Sequence, residues 1–262
     1  MHDFHFPREG GLRILGASTR MNRLLLLVTV VAGALPLWAE DPAQPASAAS
    51  FEAVVKKLPG SEMPIRLFNG KDLSGWEGAP VVWSVEDGCI KGANDKPVGT
   101  STYLFTKESY HDFRLLLEVK QTMSPRHSTM HSAVCALGER ITDKDGNEFG
   151  FKGPLLMFCH DWGIWDANRR NRVAPAGHAG PWQFAGEKQG DWNLIEILVK
   201  GNRIRVAANG AQVFDFTDQP EMLREAPLGL QLHANLQPQE WHFRGLVLTK
   251  NPEDALVTVA GK

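Results

Sequence analysis

The chain has 262 residues, of which 43% are hydrophobic and 22% charged, with a formal net charge of -2. That length and composition suit one generous domain with a sizeable core, and they exclude wholesale disorder. The near-neutral balance does not fit the broadly basic surface of a general nucleic-acid binder, so no nucleic-acid partner is expected.

In chain order, the first feature is an address. Met21-Asn22-Arg23 precedes an apolar run from Leu24 to Leu35, and Pro36-Leu37-Trp38-Ala39 follows. A short basic start, an apolar centre and a small residue at the cut site predict a signal peptide over 1–39, cleaved after Ala39. Met21 is an alternative true start. A membrane-spanning helix needs about 20 apolar residues. The run is short for that, so no stable span is expected after cleavage, and the protein is expected to be exported, periplasmic or secreted. Residues 40–60 read as a linker, because Asp41 to Ser50 is rich in Ala, Pro and Ser. A short helical turn is expected from Phe51 to Leu58. The folded domain is placed at 61–252, with a tail at 253–262. Cys89, Cys135 and Cys159 match no zinc spacing and read as small buried apolar residues.

The domain itself reads as strands. Phe113, Leu115, Leu117 and Val119 alternate with Arg114, Leu116, Glu118 and Lys120, a period of two. Ile195, Ile197 and Val199 repeat the pattern. Asn209-Gly210 and Asp87-Gly88 each stand between apolar alternations, the strongest short hairpin signal, because both turn positions favour positive φ. Leu228, Leu230 and Leu232 form a later strand, and Trp241, Phe243, Leu246 and Leu248 the last. Many short strands with glycine turns predict an all-β sandwich or barrel. Residues 143–190 differ: they are loop-rich, aromatic and basic, and long loops on a rigid sandwich tend to carry function.

Several runs then line up in order: Leu67-Phe68-Asn69-Gly70-Lys71-Asp72-Leu73-Ser74-Gly75-Trp76, Trp83-Ser84-Val85-Glu86-Asp87-Gly88, Tyr103-Leu104-Phe105-Thr106, Asp191-Trp192-Asn193, and Gly229-Leu230-Gln231-Leu232-His233. Together they resemble the 3-keto-glucoside 1,2-lyase and 3-keto-2-hydroxyglucal hydratase family, over about residues 65 to 250 by the order of these motifs. The resemblance implies a single-domain, concanavalin-like jelly-roll β-sandwich, usually exported, whose partner is an oxidised sugar or glycan. Members often carry Asn-Ser-Gly where this chain has His131-Ser132-Ala133.

The implied chemistry starts from a glucoside oxidised at C3. The ketone acidifies the C2 hydrogen, a base removes it, and the enolate expels the C1 substituent. Water can then add to the enone. No redox cofactor is required, although a divalent metal could polarise the C3 oxygen. The site needs a base, an acid and donors near the developing oxyanion. Glu118 is the first catalytic candidate, since alternation points it away from the apolar face of its strand. His233 is the second, since it shares the face of Gln231, opposite Leu228, Leu230 and Leu232. Substrate-binding candidates are Gln231, Lys152, Trp162, Asp161, His131 and Arg169. A sugar's C–H face stacks on indoles, which favours Trp162 in its glycine-rich loop. His127 and His131 have a spacing that serves a metal only on a helix.

Two other readings stand beside this one. The same face could hold a glycan without chemistry, as many sandwich folds do. A conventional glycosidase would need a second carboxylate, Asp161 or Glu187. Against it, no paired-carboxylate strand motif of the retaining glucanases appears, and neither does a Gly-x-Ser-x-Gly elbow.

Overall fold

Strand pairing organises this computed structural model, which describes residues 46–123, 132–158, 164–166, 188, 190–219 and 224–259, with the backbone alone at 46–49 and 164–166. Helix α1 (Ala46–Val55) comes first, followed by β1 (Ile65–Arg66), β2 (Trp76–Glu77), β3 (Trp83–Glu86), β4 (Cys89–Asn94), β5 (Thr102–Tyr110) and β6 (Phe113–Met123). Next come β7 (Ala133–Cys135), β8 (Glu139–Ile141), β9 (Gly150–Lys152), β10 (Pro154–Met157) and β11 (Ile164–Asp166). The chain ends through β12 (Asn193–Lys200), β13 (Arg203–Ala208), β14 (Ala211–Thr217), β15 (Ala226–Leu232) and β16 (Gln239–Lys250).

These strands form two antiparallel sheets and a small hairpin. The larger sheet runs β14-β13-β12-β6-β16-β4-β3, with β1 also paired to β16. The smaller runs β11-β10-β7-β15-β5-β2, and β8 pairs with β9 in a two-stranded sheet. The hairpins predicted from turn chemistry are present. Asn209 and Gly210 have φ of 48° and 84°, and Asp87 and Gly88 have 49° and 70°. Both pairs occupy the left-handed region that a two-residue turn with the strands' own twist requires.

The core lies between the two sheets. Phe113, Leu115, Leu117 and Val119 of β6 meet Leu228, Leu230 and Leu232 of β15 in one buried cluster with Trp83, Trp241 and Phe243. Strand alternation therefore assigned the inner faces of both sheets correctly. Trp83 lies against Gly92, where an added Cβ would come 2.5 Å from the indole. Gly92→Ala is expected to overpack this contact and lower stability by about 1–3 kcal/mol, measurable by urea denaturation. An unchanged midpoint would mean that the indole has room to move.

The outer face of the larger sheet is not left to solvent at the Arg114 end. Phe51 of α1 packs on Leu116 and Val247. Its ring occupies the space over Gly245, the positive-φ residue at the β16 irregularity, where a Cβ would be 2.5 Å from the ring. Beside it, Arg114 donates to Glu62 through Nε (3.0 Å) and Nη2 (2.9 Å), and to Glu196 through Nη1. Glu196 also accepts from the backbone N–H groups of Val257 and Thr258, and the N–H of Glu253 donates to Glu62. Residues 51–58 of the segment expected as a linker and 253–258 of the one expected as a tail thus pack on the domain. Composition alone could not reveal this, because their partners lie as far as 192 residues away. The expected signal peptide at 1–39 lies outside the described residues. Among the described residues, no helix is long and apolar enough to cross a membrane.

Candidate functional site at one end of the smaller sheet

The smaller sheet has an outward face that register defines. Gln231 stands opposite Tyr103, and Gly229 opposite both Phe105 and Cys135, while Leu230 pairs with Leu104 and Val134 on the core side. Tyr103, Phe105, Cys135 and Gln231 therefore share the face turned away from the larger sheet. The β8–β9 hairpin lies over this face. Its Phe151 ring is 5.8 Å from Tyr103 and 6.3 Å from Phe105, and Arg140 stacks over Phe105 and Phe149.

Polar groups gather at one end of this face. Gln231 Nε2 donates to the Tyr103 hydroxyl at 3.3 Å and reaches Ser101 Oγ at 3.5 Å. Ser101 Oγ accepts from the backbone N–H of Ala234 (3.0 Å), and Asn147 Nδ2 donates to the Ser101 carbonyl (3.2 Å). Ser132 Oγ donates to the Gln231 carbonyl at 2.8 Å, and the Phe158 N–H donates to the Ser132 carbonyl at 3.2 Å. Ser101 leads into β5, Ser132 leads into β7, Phe158 follows β10, and His233 follows β15. His233 is half-buried, and its carbonyl accepts from Gln239 Nε2. Three strands of one sheet, β5, β7 and β15, thus bring the polar residues Ser101, Ser132, Gln231 and His233 to one end. Gln231 is 2% exposed, and its Oε1 has no partner among the described residues. Burial pushes the Tyr103 phenol well above its ordinary value, outweighing the hydrogen bonds from Gln231 and Ser101. It is therefore a neutral hydroxyl at physiological pH.

Glu118 is not part of this edge. It does point away from the apolar face of β6, as alternation predicts, but β6 belongs to the larger sheet. Glu118 and Gln231 therefore lie on opposite outer faces of the sandwich, so the two catalytic candidates, Glu118 and His233, are not brought together, and the catalytic expectation for Glu118 is corrected. Alternation fixes the face of a strand within its own sheet and carries no information about which sheet the strand joins. Glu118 is 5% exposed and accepts from Arg244 Nε at 2.7 Å. The Arg244 guanidinium in turn stacks 3.8 Å from the Trp192 ring centroid, with Lys120 at 4.9 Å. A carboxylate held by a stacked guanidinium is a structural ion pair, here through Oε2. Glu118→Gln is expected to cost about 1.5–3 kcal/mol of stability, the range for a hydrogen bond to a charged group. In the folded protein it should leave turnover within a few-fold. A loss of turnover at full folding would return Glu118 to the chemistry.

Lys152 is exposed on β9 while its neighbour Phe151 turns inward, so it is not brought to the polar edge. His131, Asp161, Trp162 and Arg169 lie outside the described residues, as do His127 and Glu187. Among the described residues, no group of three or more His, Cys, Asp or Glu side chains could hold a metal ion. Cys89 and Cys135 are buried free thiols, as their apolar reading predicts. Tyr103 and Ser101 escaped the sequence reading. The available signal was that Tyr103 sits in a conspicuously aromatic strand, but its partner is 128 residues away on β15.

Two stacked antiparallel sheets with polar groups at one edge of the smaller define a concanavalin-like jelly-roll sandwich. The exoplasmic/lumenal domain of VIP36 shares this architecture, with a TM-score of 0.50 at 9% identity over 74% of this chain and 90% of that one. The chain belongs to the 3-keto-alpha-glucoside-1,2-lyase-like domain family, whose model matches residues 63–249. A 3-keto-disaccharide hydrolase of Bacteroides thetaiotaomicron is 25% identical over 175 residues, 58% of each chain. This chain thus spans little more than half the length of that relative. A Parabacteroides distasonis ATCC 8503 structure, classed by assignment as a glycosyl hydrolase, aligns over 76% of this chain and 96% of its own, with a TM-score of 0.48 at 19% identity.

Proposed function

We propose that the protein is a carbohydrate-active enzyme that cleaves 3-keto-disaccharides, binding the oxidised sugar at the Gln231–His233 end of the smaller sheet. His233 serves as the acid–base group, and Gln231 as a sugar-binding group. Removal of the C2 proton leaves its electron pair in the enolate. That pair then forms the C1–C2 double bond as the C1–O bond breaks, and the departing oxygen takes up a proton. Addition of water to the enone completes a net hydrolysis. The observation that carries this reading is the hydrogen-bonded cluster of Ser101, Tyr103 and Gln231 at the end of β15 that His233 follows, in a chain of this family. No step is routed through a metal. Loop residues His131, Asp161, Trp162 and Arg169 complete the sugar site in this proposal, since the chain bearing them adjoins Ser132 and Phe158 in sequence. Export belongs to the same proposal and is supported by the signal pattern at 21–39.

The test is to supply a 3-keto-disaccharide and follow the enone by its absorbance and the released sugar by chromatography. Appearance of both is expected. A second reading, a glycan-binding module without chemistry, is favoured by the separation of Glu118 from His233, which removes the second titratable group first assigned to the reaction. Saturable binding with no product after long incubation would establish that reading and end the enzymatic one.

A further inference from the structure

We infer that Ser101 and Tyr103 are positioning residues that lock the Gln231 amide as a hydrogen-bond acceptor for one sugar hydroxyl. The inference rests on the proposed function and deepens it. Three observations carry it. The Gln231 side chain is almost wholly buried, yet its Oε1 is without a partner among the described residues. A buried amide oxygen left unpaired is costly, so a group that pairs with it gains a strong preference. The opposite edge of the amide is fixed, because Nε2 donates to both Tyr103 Oη and Ser101 Oγ. Ser101 is itself held by the Ala234 N–H and by Asn147.

The direction of these bonds sets the specificity. With both Nε2 contacts spent on the protein, the unpaired end of the amide, Oε1, accepts and does not donate. It therefore reads an O–H donor on the sugar and discriminates against a ketone or ether at the same place. The ketone must find its donors elsewhere. Tyr103 supports this, since its hydroxyl accepts from Nε2 in the arrangement observed. Without the phenol the amide is free to rotate and present its donor end. A site built around one hydroxyl rejects the analogue that lacks it, because its own buried group is then left unpaired.

The experiment is calorimetric titration of methyl 3-keto-α-glucopyranoside and its 2-, 4- and 6-deoxy counterparts into wild type, Tyr103→Phe and Gln231→Met, with steady-state kinetics on the 3-keto-disaccharide. In wild type, removal of one hydroxyl should weaken binding at least tenfold. In Gln231→Met the same removal should matter less than twofold. Tyr103→Phe should raise KM several-fold with kcat little changed, and should shrink the deoxy penalty without abolishing binding. If both variants keep the wild-type deoxy penalty, the inference is overturned while wild-type turnover leaves the proposed function standing. If wild type neither binds nor converts any of the sugars, the proposed function falls and the inference with it. Should Gln231→Met fail to fold by circular dichroism, Tyr103→Phe decides alone, since it removes one oxygen atom only.

Discussion

Arg114→Met is expected to lower the unfolding free energy by about 3–5 kcal/mol, the cost of removing one partner from a buried ion pair. Arg114 is fully buried between Glu62 and Glu196, whose side chains are 1% and 0% exposed. Losing the guanidinium leaves two carboxylates inside the protein with hydroxyl and backbone N–H donors alone. The same network holds the 253–258 segment against the sheet beside the bulge that α1 covers. The variant should therefore also expose the backbone of 253–258 to hydrogen exchange, before the core strands open. Urea denaturation gives the first number and exchange mass spectrometry the second. A loss below about 1 kcal/mol, the value of an exposed pair, would show that the clasp contributes little.

The network also carries a pH signature. Burial raises the Glu62 carboxyl, but hydrogen bonds from Arg114, Thr249 and the Glu253 N–H, together with the Arg114 charge, outweigh it and leave the group below its ordinary 4.5. A depressed folded value means that the stabilisation is complete above the unfolded value and is lost as pH falls through the folded one. Wild type should therefore lose stability below about pH 4.5, and Arg114→Met should lose proportionately less over that interval.

The second large effect concerns chemistry. His233→Asn should reduce kcat/KM on the 3-keto-disaccharide by on the order of a hundredfold or more, the usual contribution of a general acid or base. Its backbone link to Gln239 does not depend on the imidazole, and circular dichroism checks that the variant folds. The pH profile should lose the limb that falls in the imidazole range. A variant with wild-type activity would remove His233 from the mechanism and leave the loop residues to supply the base.

Local features were legible in the sequence, and long-range ones were not. Asn209-Gly210 and Asp87-Gly88 disclosed their hairpins, because turn geometry is dictated by the two residues that make it. The alternation in β6 and β15 disclosed which side chains face the core. The same alternation made catalytic candidates of both Glu118 and His233, because parity is blind to sheet membership. What places Glu118 is Arg244, 126 residues downstream, and no local pattern announces that partner. The Ala- and Ser-rich segment around α1 reads as a linker for the same reason: Phe51 finds its contacts on Leu116 and Val247. Gln231 was identified correctly as polar and outward. Tyr103 was hidden among the aromatic residues of β5 until register set it opposite Gln231.

The position of a bound sugar tests all of this most directly. In crystals soaked with methyl 3-keto-α-glucopyranoside, density for the ring should appear at the edge formed by Tyr103, Ser132, Gln231 and His233, with a hydroxyl in hydrogen-bond range of Gln231 Oε1. Density instead on the far face of the larger sheet, against Glu118, Arg244 and Trp192, would contradict the assignment of the site.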